Sequence, residues 1–171
     1  MRLLPSIKKA GAFLYIFTRG MKEVNMPEEK IVGIMREWGK GWSVGDAEKL
    51  TAFFSDDAVW INPYGTYNGK GAIKAHVSAM FRNMKDMKVT EIGNGIIVQG
   101  DKAFFEHVLS GTFQGKKFEF LAMCAWEFSG DKVKSMRTVY DRMLTAQQVV
   151  KGWPARPLVN MVVKRSEKGM K

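Results

Sequence analysis

Residues 89–128 leave the chain little freedom. Three apolar segments, Val89–Gln99, Ala103–Phe113 and Lys117–Phe128, are punctuated by Gly100-Asp101 and Gln114-Gly115. Breaks this short and Gly-containing connect antiparallel neighbours through hairpins. The later two segments are apolar on both faces, because strand side chains alternate. Phe105, His107, Leu109 and Gly111 share one side, with Phe104 and Val108 opposite; Phe118, Phe120, Ala122, Cys124, Trp126 and Phe128 oppose Leu121, Met123 and Ala125. One face must enclose a core, and the other needs a cover of its own. With the helices spent on the enclosed side, the outer face is expected to be the interface of a homodimer.

The remaining elements follow from periodicity. Over Met26–Trp42, Ile31, Ile34, Met35, Trp38 and Trp42 recur at helical spacing behind Glu28 and Glu29, which predicts an amphipathic first helix. Gly45 supplies a turn and Asp46 a cap for a second short helix whose apolar side is read as Leu50, Phe53 and Phe54. Ala58–Asn62 reads as a strand, with Trp60 and Asn62 on one face, and Pro63 to Gly69 as a loop. Gly71–Met84 reads as a third helix, Val133–Tyr140 as a strand after Gly130-Asp131, and Asp141–Val150 as a closing helix. Helices first and antiparallel strands later predict an α+β fold with a strongly curved antiparallel or mixed sheet bent around helices.

Length allows one domain with tails. The net charge of +10 divides unevenly: residues 1–26 carry +4, residues 27–150 only +1, and residues 151–171 +5. Charge confined to the tails argues against a nucleic-acid groove, which needs its bases gathered on one folded surface. The reading is a basic, apolar N-terminal extension (1–25), a domain over 26–150 and a basic, solvated C-terminal tail (151–171). The stretch Ala10–Phe17 after Arg2, Lys8 and Lys9 resembles a leader, but it is short, contains Gly11 and is followed by Thr18-Arg19-Gly20 rather than a cleavage site. A cytoplasmic protein with no membrane span is expected. Cys124 is the one cysteine, with no partner at metal-ligand spacing, so neither a disulfide nor a metal is predicted.

The segment WSVGDAEKLTAFFSDDAVWINPYGTYNGKGAI, together with FQGKKFEF and DKVKSMRTVYD, resembles the SnoaL-like, ketosteroid-isomerase-like proteins. This superfamily also includes limonene-epoxide hydrolase and proteins like nuclear transport factor two. The resemblance spans about residues 27–150. It implies an α+β, barrel-like cone with an internal apolar pocket, no cofactor, and chemistry on inward-facing side chains. It implies an enzyme acting on an apolar small molecule as an isomerase, cyclase or epoxide hydrolase; the alternative is a non-catalytic module of the same fold that binds a small molecule or a protein.

Carried over residue by residue, the family's acids are exchanged. The isomerase's tyrosine falls near Trp38, its aspartate base on Asn62 and its protonated aspartate on Cys124. The hydrolase's water-binding pair falls on Trp60 and Asn62, and its relay near His107, Leu109 and Thr138. An indole, an amide and a buried thiol do not perform carboxylate chemistry.

The inward-projecting set is Trp38, Trp60, Asn62, His107, Leu109, Cys124, Trp126, Met136, Thr138 and Tyr140. His107 and Asn62 are the catalytic candidates, His107 because an imidazole titrates near neutrality and Asn62 because a buried amide must find partners. The plainer alternatives stay open. The tryptophans fill a core, and His107 is a core histidine bonded to Tyr140 or Asn62. Cys124 is a small hydrophobe, and His76 is a partly exposed helix residue. Asp141 reads as a helix cap, Asp56-Asp57 as capping residues, and Arg137 as a partner for Glu106 or Glu127.

Overall fold

The computed structural model describes residues 26–150 and 155–168; the expected N-terminal extension and its leader-like stretch lie outside them. In chain order the elements are α1 (Glu28–Val44), α2 (Ala47–Thr51), β1 (Phe54–Asn62), β2 (Gly65–Asn68), α3 (Lys70–Asn83), β3 (Met84–Gln99), β4 (Lys102–Phe113), β5 (Lys116–Ser129), β6 (Lys132–Tyr140), α4 (Arg142–Val149) and α5 (Ala155–Lys168). The six strands form one sheet in the order β2-β1-β6-β5-β4-β3. β1 runs parallel to β6 and every other pairing is antiparallel. This is the α+β cone expected, but it is not a barrel: β2 and β3 are edges, and the sheet stays open.

α1 lies in the hollow of the sheet. Its early acids Glu28 and Glu29 suit the N-terminal end of a helix, and Ile31, Met35, Trp38, Gly39 and Trp42 are buried. Gly45 ends it at φ 72°, a left-handed position that glycine fills without strain. Asp46 caps α2 as expected, its carboxylate accepting from the amides of Glu48 and Lys49 at 2.9 and 3.2 Å.

The sheet curls because β3 is repeatedly interrupted. Against β4 its register slips between Lys85 and Lys88 and again between Glu91 and Ile96, where Gly93 and Gly95 take positive φ. Bulges of this kind bend a strand and increase its twist. Glu106 holds the second bend by accepting from the Asn94 amide at 3.0 Å. At the other end β3 crosses close to β4: a Cβ at Gly111 would stand 3.0 Å from both the Lys85 carbonyl and the Phe118 ring, so glycine is what lets the strands approach.

Several boundaries differ from the sequence reading for local reasons. Phe54 belongs to β1 rather than to the second helix; it pairs with Val133, and the Phe53 carbonyl accepts from the Val133 amide at 2.9 Å. β1 therefore starts four residues before Ala58. The polar run Ser55-Asp56-Asp57 disguised it, because the register shifts there between Phe54 and Val59. Asp56 does not cap; it accepts from Lys70 at 2.8 Å and ties β1 to α3. Gly65–Asn68, read as loop, is a strand zipped onto Val59–Asn62 by the Pro63-Tyr64 turn. Glu106, offered as a partner for Arg137, bonds Asn94 instead. The basic tail is helical over Ala155–Lys168 and packs on α4. Among the described residues no helix is long and apolar enough to cross a membrane.

Candidate functional site

The inner face of the sheet is organised in rows across the strands. His107, Ala122 and Tyr140 lie side by side on β4, β5 and β6, and Phe105, Cys124 and Thr138 form the adjacent row. Because β1 pairs with β6 at Trp60 and Met136, Asn62 arrives at the level of Thr138. One end of the cone is solid. Trp126 stands edge-on to Trp38 with ring centroids 4.8 Å apart and stacks on Phe128, while Met136 and Phe54 are fully enclosed.

The other end is hollow. A cavity of about 110 Å³ lies between α1, α3 and the sheet, opening toward α4. Of the inward-projecting set, Trp38, Trp60, Asn62, His107, Leu109, Cys124, Thr138 and Tyr140 line it; Trp126 and Met136 share the same face but sit deeper, in the filled end. Trp42, His76 and Met80 complete the helical walls, and Met84, Phe113, Phe118 and Phe120 the strand wall. At the mouth, Tyr140 stacks on Phe120 at 4.4 Å, and the Arg142 guanidinium lies 4.8 Å over the Tyr64 ring while donating to the Pro63 carbonyl. Among the described residues, no Asp, Glu, Lys or Arg lines the cavity. Among the described residues no cluster of His, Cys, Asp and Glu could hold a metal.

The polar atoms of the wall fall into satisfied and unsatisfied groups. Trp60 Nε1 donates to Thr138 Oγ1 at 3.0 Å, and the same hydroxyl lies 3.2 Å from Cys124 Sγ. Asn62 Oδ1 accepts from the Tyr64 amide at 2.8 Å. That bond fixes the side-chain amide, so Nδ2 is the group that faces His76 Nε2 at 3.0 Å. A donor on Asn62 requires an acceptor on His76, which places the His76 proton on Nδ1. Asn62 retains a second N–H. By contrast, Trp38 Nε1, Trp42 Nε1 and Trp126 Nε1 are buried with no hydrogen-bond partner. All of these except Trp126 belong to residues on the cavity wall.

Burial also sets the protonation states. It pushes the His107 imidazole down to about 4 against a weaker opposing backbone hydrogen bond at Phe105, so His107 is neutral at physiological pH. Burial likewise lowers His76 and raises the Tyr140 phenol. It drives the Cys124 thiol up to about 12, with the Thr138 hydrogen bond pulling the other way. The site is therefore uncharged, and Cys124 is a thiol rather than a nucleophile.

His76, Trp42 and Tyr64 are among the wall residues that the inward-projecting set left out; His76 is the one bonded to a candidate residue, Asn62. This histidine stacks on Tyr67 at 4.0 Å and holds the amide expected to bond His107. Its signal was present, since His76 follows Ile73 by three residues and precedes Val77. That is the spacing of a helix flank turned partly inward.

A family model described as the SnoaL-like domain matches residues 35–136. No match is found among curated proteins. Solved structures with the same fold include a Catenulispora acidiphila hypothetical protein with a ketosteroid isomerase-like fold, in complex with trimethylamine. It is 21% identical, with 71% of this chain and 94% of that one covered and a TM-score of 0.64. An M. tuberculosis epoxide hydrolase like limonene-epoxide hydrolase aligns at 16% identity, over 81% and 99% of the two chains, with a TM-score of 0.63. TerC co-crystallized with polyporic acid aligns at 17% identity, over 70% and 97%, with a TM-score of 0.61.

His107 titration is directly measurable. Its folded pKa of about 4 lies below the ordinary 6.5, so between these values the unfolded chain holds the proton and the folded one does not. Its contribution to stability is full above pH 6.5 and is lost as pH falls toward 4. An imidazole NMR titration should place the His107 midpoint near 4. Denaturant unfolding should show an acid-side loss that His107→Leu flattens. A midpoint near 6.5 with no difference between the proteins would refute the neutral, desolvated imidazole.

Proposed function

We propose that this chain, which belongs to the SnoaL-like domain family, acts in its cone on a small, neutral, apolar molecule that carries a hydrogen-bond acceptor. The observation that carries this reading is an uncharged, mostly aromatic cavity whose lining residues Trp38 and Trp42 each have an indole N–H buried without a hydrogen-bond partner. Each unmet buried donor costs about 1–3 kcal/mol, and a ligand oxygen would relieve that cost. A cation or a carboxylate finds no counter-charge there. Volume narrows the class further: at about 110 Å³ the cavity is smaller than the engineered apolar cavity of about 150 Å³ that accepts benzene, so it takes no more than one small ring, with any further bulk between Tyr64, Tyr140 and Phe120. The neighbours solved with trimethylamine and with polyporic acid are consistent with small molecules as ligands of this fold.

The chemistry proposed is proton abstraction beside a carbonyl, as in an isomerase or cyclase. His107 takes the proton as general base while indole N–H groups donate to the developing enolate oxygen. Its depressed pKa makes His107 a weak base in the empty site, but negative charge growing on the substrate favours the imidazolium and raises that pKa as the proton moves. Asn62, held by Tyr64 and His76, positions the substrate through its remaining N–H. Epoxide hydrolysis fits less well, since it needs a base for water and an acid for the leaving oxygen. A second reading, capture without turnover, draws on the missing carboxylate. Incubating the protein with a cyclic ketone in deuterated water separates them: His107-dependent exchange of the α-hydrogens, lost in His107→Ala and reduced about tenfold or more in Asn62→Ala, supports catalysis. Binding with no exchange by the native protein supports capture.

The outer face of the sheet supports the proposed homodimer. Leu121 pairs across from Val108, and Val139 from Met123, with Ile97 beside Phe104 and Ile61 beside Arg137; Ile61, Ile97, Leu121 and Val139 are each substantially exposed in the single chain. Sedimentation velocity should report a dimer that Leu121→Asp with Val139→Asp converts to a monomer. A native monomer at micromolar concentration would overturn this assignment.

A further inference from the structure

The outermost element, α5, has no role in closing the cone. Its side toward the protein packs on α4, where Gln147 Nε2 donates to Asn160 Oδ1 at 3.5 Å and Val159 is half-buried. Its other side carries Leu158, Met161 and Val162, each at least 50% exposed. At 100° per residue these positions fall on one stripe, with Arg165 on the same side and Lys164 and Lys168 flanking it. Residues 151–171 carry six bases against one acid.

We propose that α5 is an interfacial helix that docks this protein on an anionic lipid surface, with Leu158, Met161 and Val162 entering the boundary between headgroups and acyl chains and the surrounding bases facing acidic headgroups. Neither signal suffices alone, because stable peripheral binding takes apolar insertion together with a basic cluster. Charge argues against a second copy as occupant, since this face would set Lys164, Arg165 and Lys168 against the same three bases. A nucleic acid would use the bases but has no need of three exposed aliphatic side chains. At 14 residues and with its charge, α5 lies on a membrane and does not span it. α5 packs on α4, and α4 supplies Thr145 and Val149 to the cavity wall, so docking brings the opening of the cone toward the lipid phase. That last point rests on the apolar-ligand reading above; the docking itself does not.

The test is cosedimentation of the full chain with vesicles of phosphatidylcholine alone and of phosphatidylcholine doped with phosphatidylserine. Binding to the anionic vesicles should exceed binding to the neutral ones by about tenfold or more and weaken at about 0.5 M salt. Leu158→Ser, Met161→Ser and Val162→Ser together, at exposed positions outside the core, should reduce binding about tenfold. Lys164→Glu with Arg165→Glu should do the same. Absence of binding to anionic vesicles overturns the proposal, as does binding that the serine variant leaves unchanged. So too does a nucleic-acid oligonucleotide that competes the protein off vesicles and binds the serine variant as well as the native chain. Ketone exchange in the cone should be the same in the serine variant, which keeps failure here distinct from failure of the pocket.

Discussion

The packing of α1 against a sheet bent by β3 governs everything else in this molecule. A flat sheet with two apolar faces would expose one of them completely or stack into a sandwich; bulges at Lys85–Lys88 and Glu91–Ile96 instead roll β3 and β4 over Ile31, Met35, Trp38 and Trp42. The bend is not uniform, and the space inside tapers. Trp126, Phe105, Met136 and Phe54 fill the narrow end. The wide end has too little side-chain volume to close, so the cavity is a consequence of curvature and of where the large residues were placed.

The same geometry accounts for the electrostatics. Water is displaced from a wall made of rings and aliphatic groups, so titratable groups on it are held in their neutral forms. His107, Tyr140 and Cys124 all shift in that direction. Polar atoms that found local partners became structural: Trp60 with Thr138, and Asn62 with Tyr64 and His76. Trp38, Trp42 and Trp126 retain indole N–H groups with no partner. The great majority of buried polar atoms in folded proteins are bonded, and two of these three indoles belong to residues that line the cavity.

Much of the fold was legible in the sequence because alternation and short Gly breaks act locally. The last three strands, the helix caps at Asp46 and Asp141 and the closing helix follow from the residues alone, and the structure has them, whereas β3 begins at Met84, five residues before the Val89 expected. What escaped depends on contacts between distant segments. β1 before Ala58 is polar and bulged; Gly65–Asn68 is a strand only because Val59–Asn62 lies beside it. The site divided in the same way. Helical spacing found Trp38 and alternation the seven strand residues of the wall, but neither could separate those at the hollow end from Trp126 and Met136 at the filled one, since depth along the cone is not encoded in which face a side chain takes. Nor could it see that Asn62 would bond His76 across from α3 rather than His107 from β4.

Binding of an acceptor-bearing molecule beside Trp38 and Trp42, whose indole N–H groups have no partner, is tested within one sample by the indole region of a two-dimensional 15N–1H NMR spectrum. The five tryptophans include internal controls: Trp60 Nε1 is already bonded to Thr138, and Trp126 lies outside the cavity. On titration with a small cyclic ketone, the Nε1–H signals of Trp38 or Trp42 should move downfield, while those of Trp60 and Trp126 change little and the hydrocarbon of the same shape produces no such shift. Saturating ketone that leaves Trp38 and Trp42 unmoved, or a hydrocarbon that shifts them equally, would contradict the account.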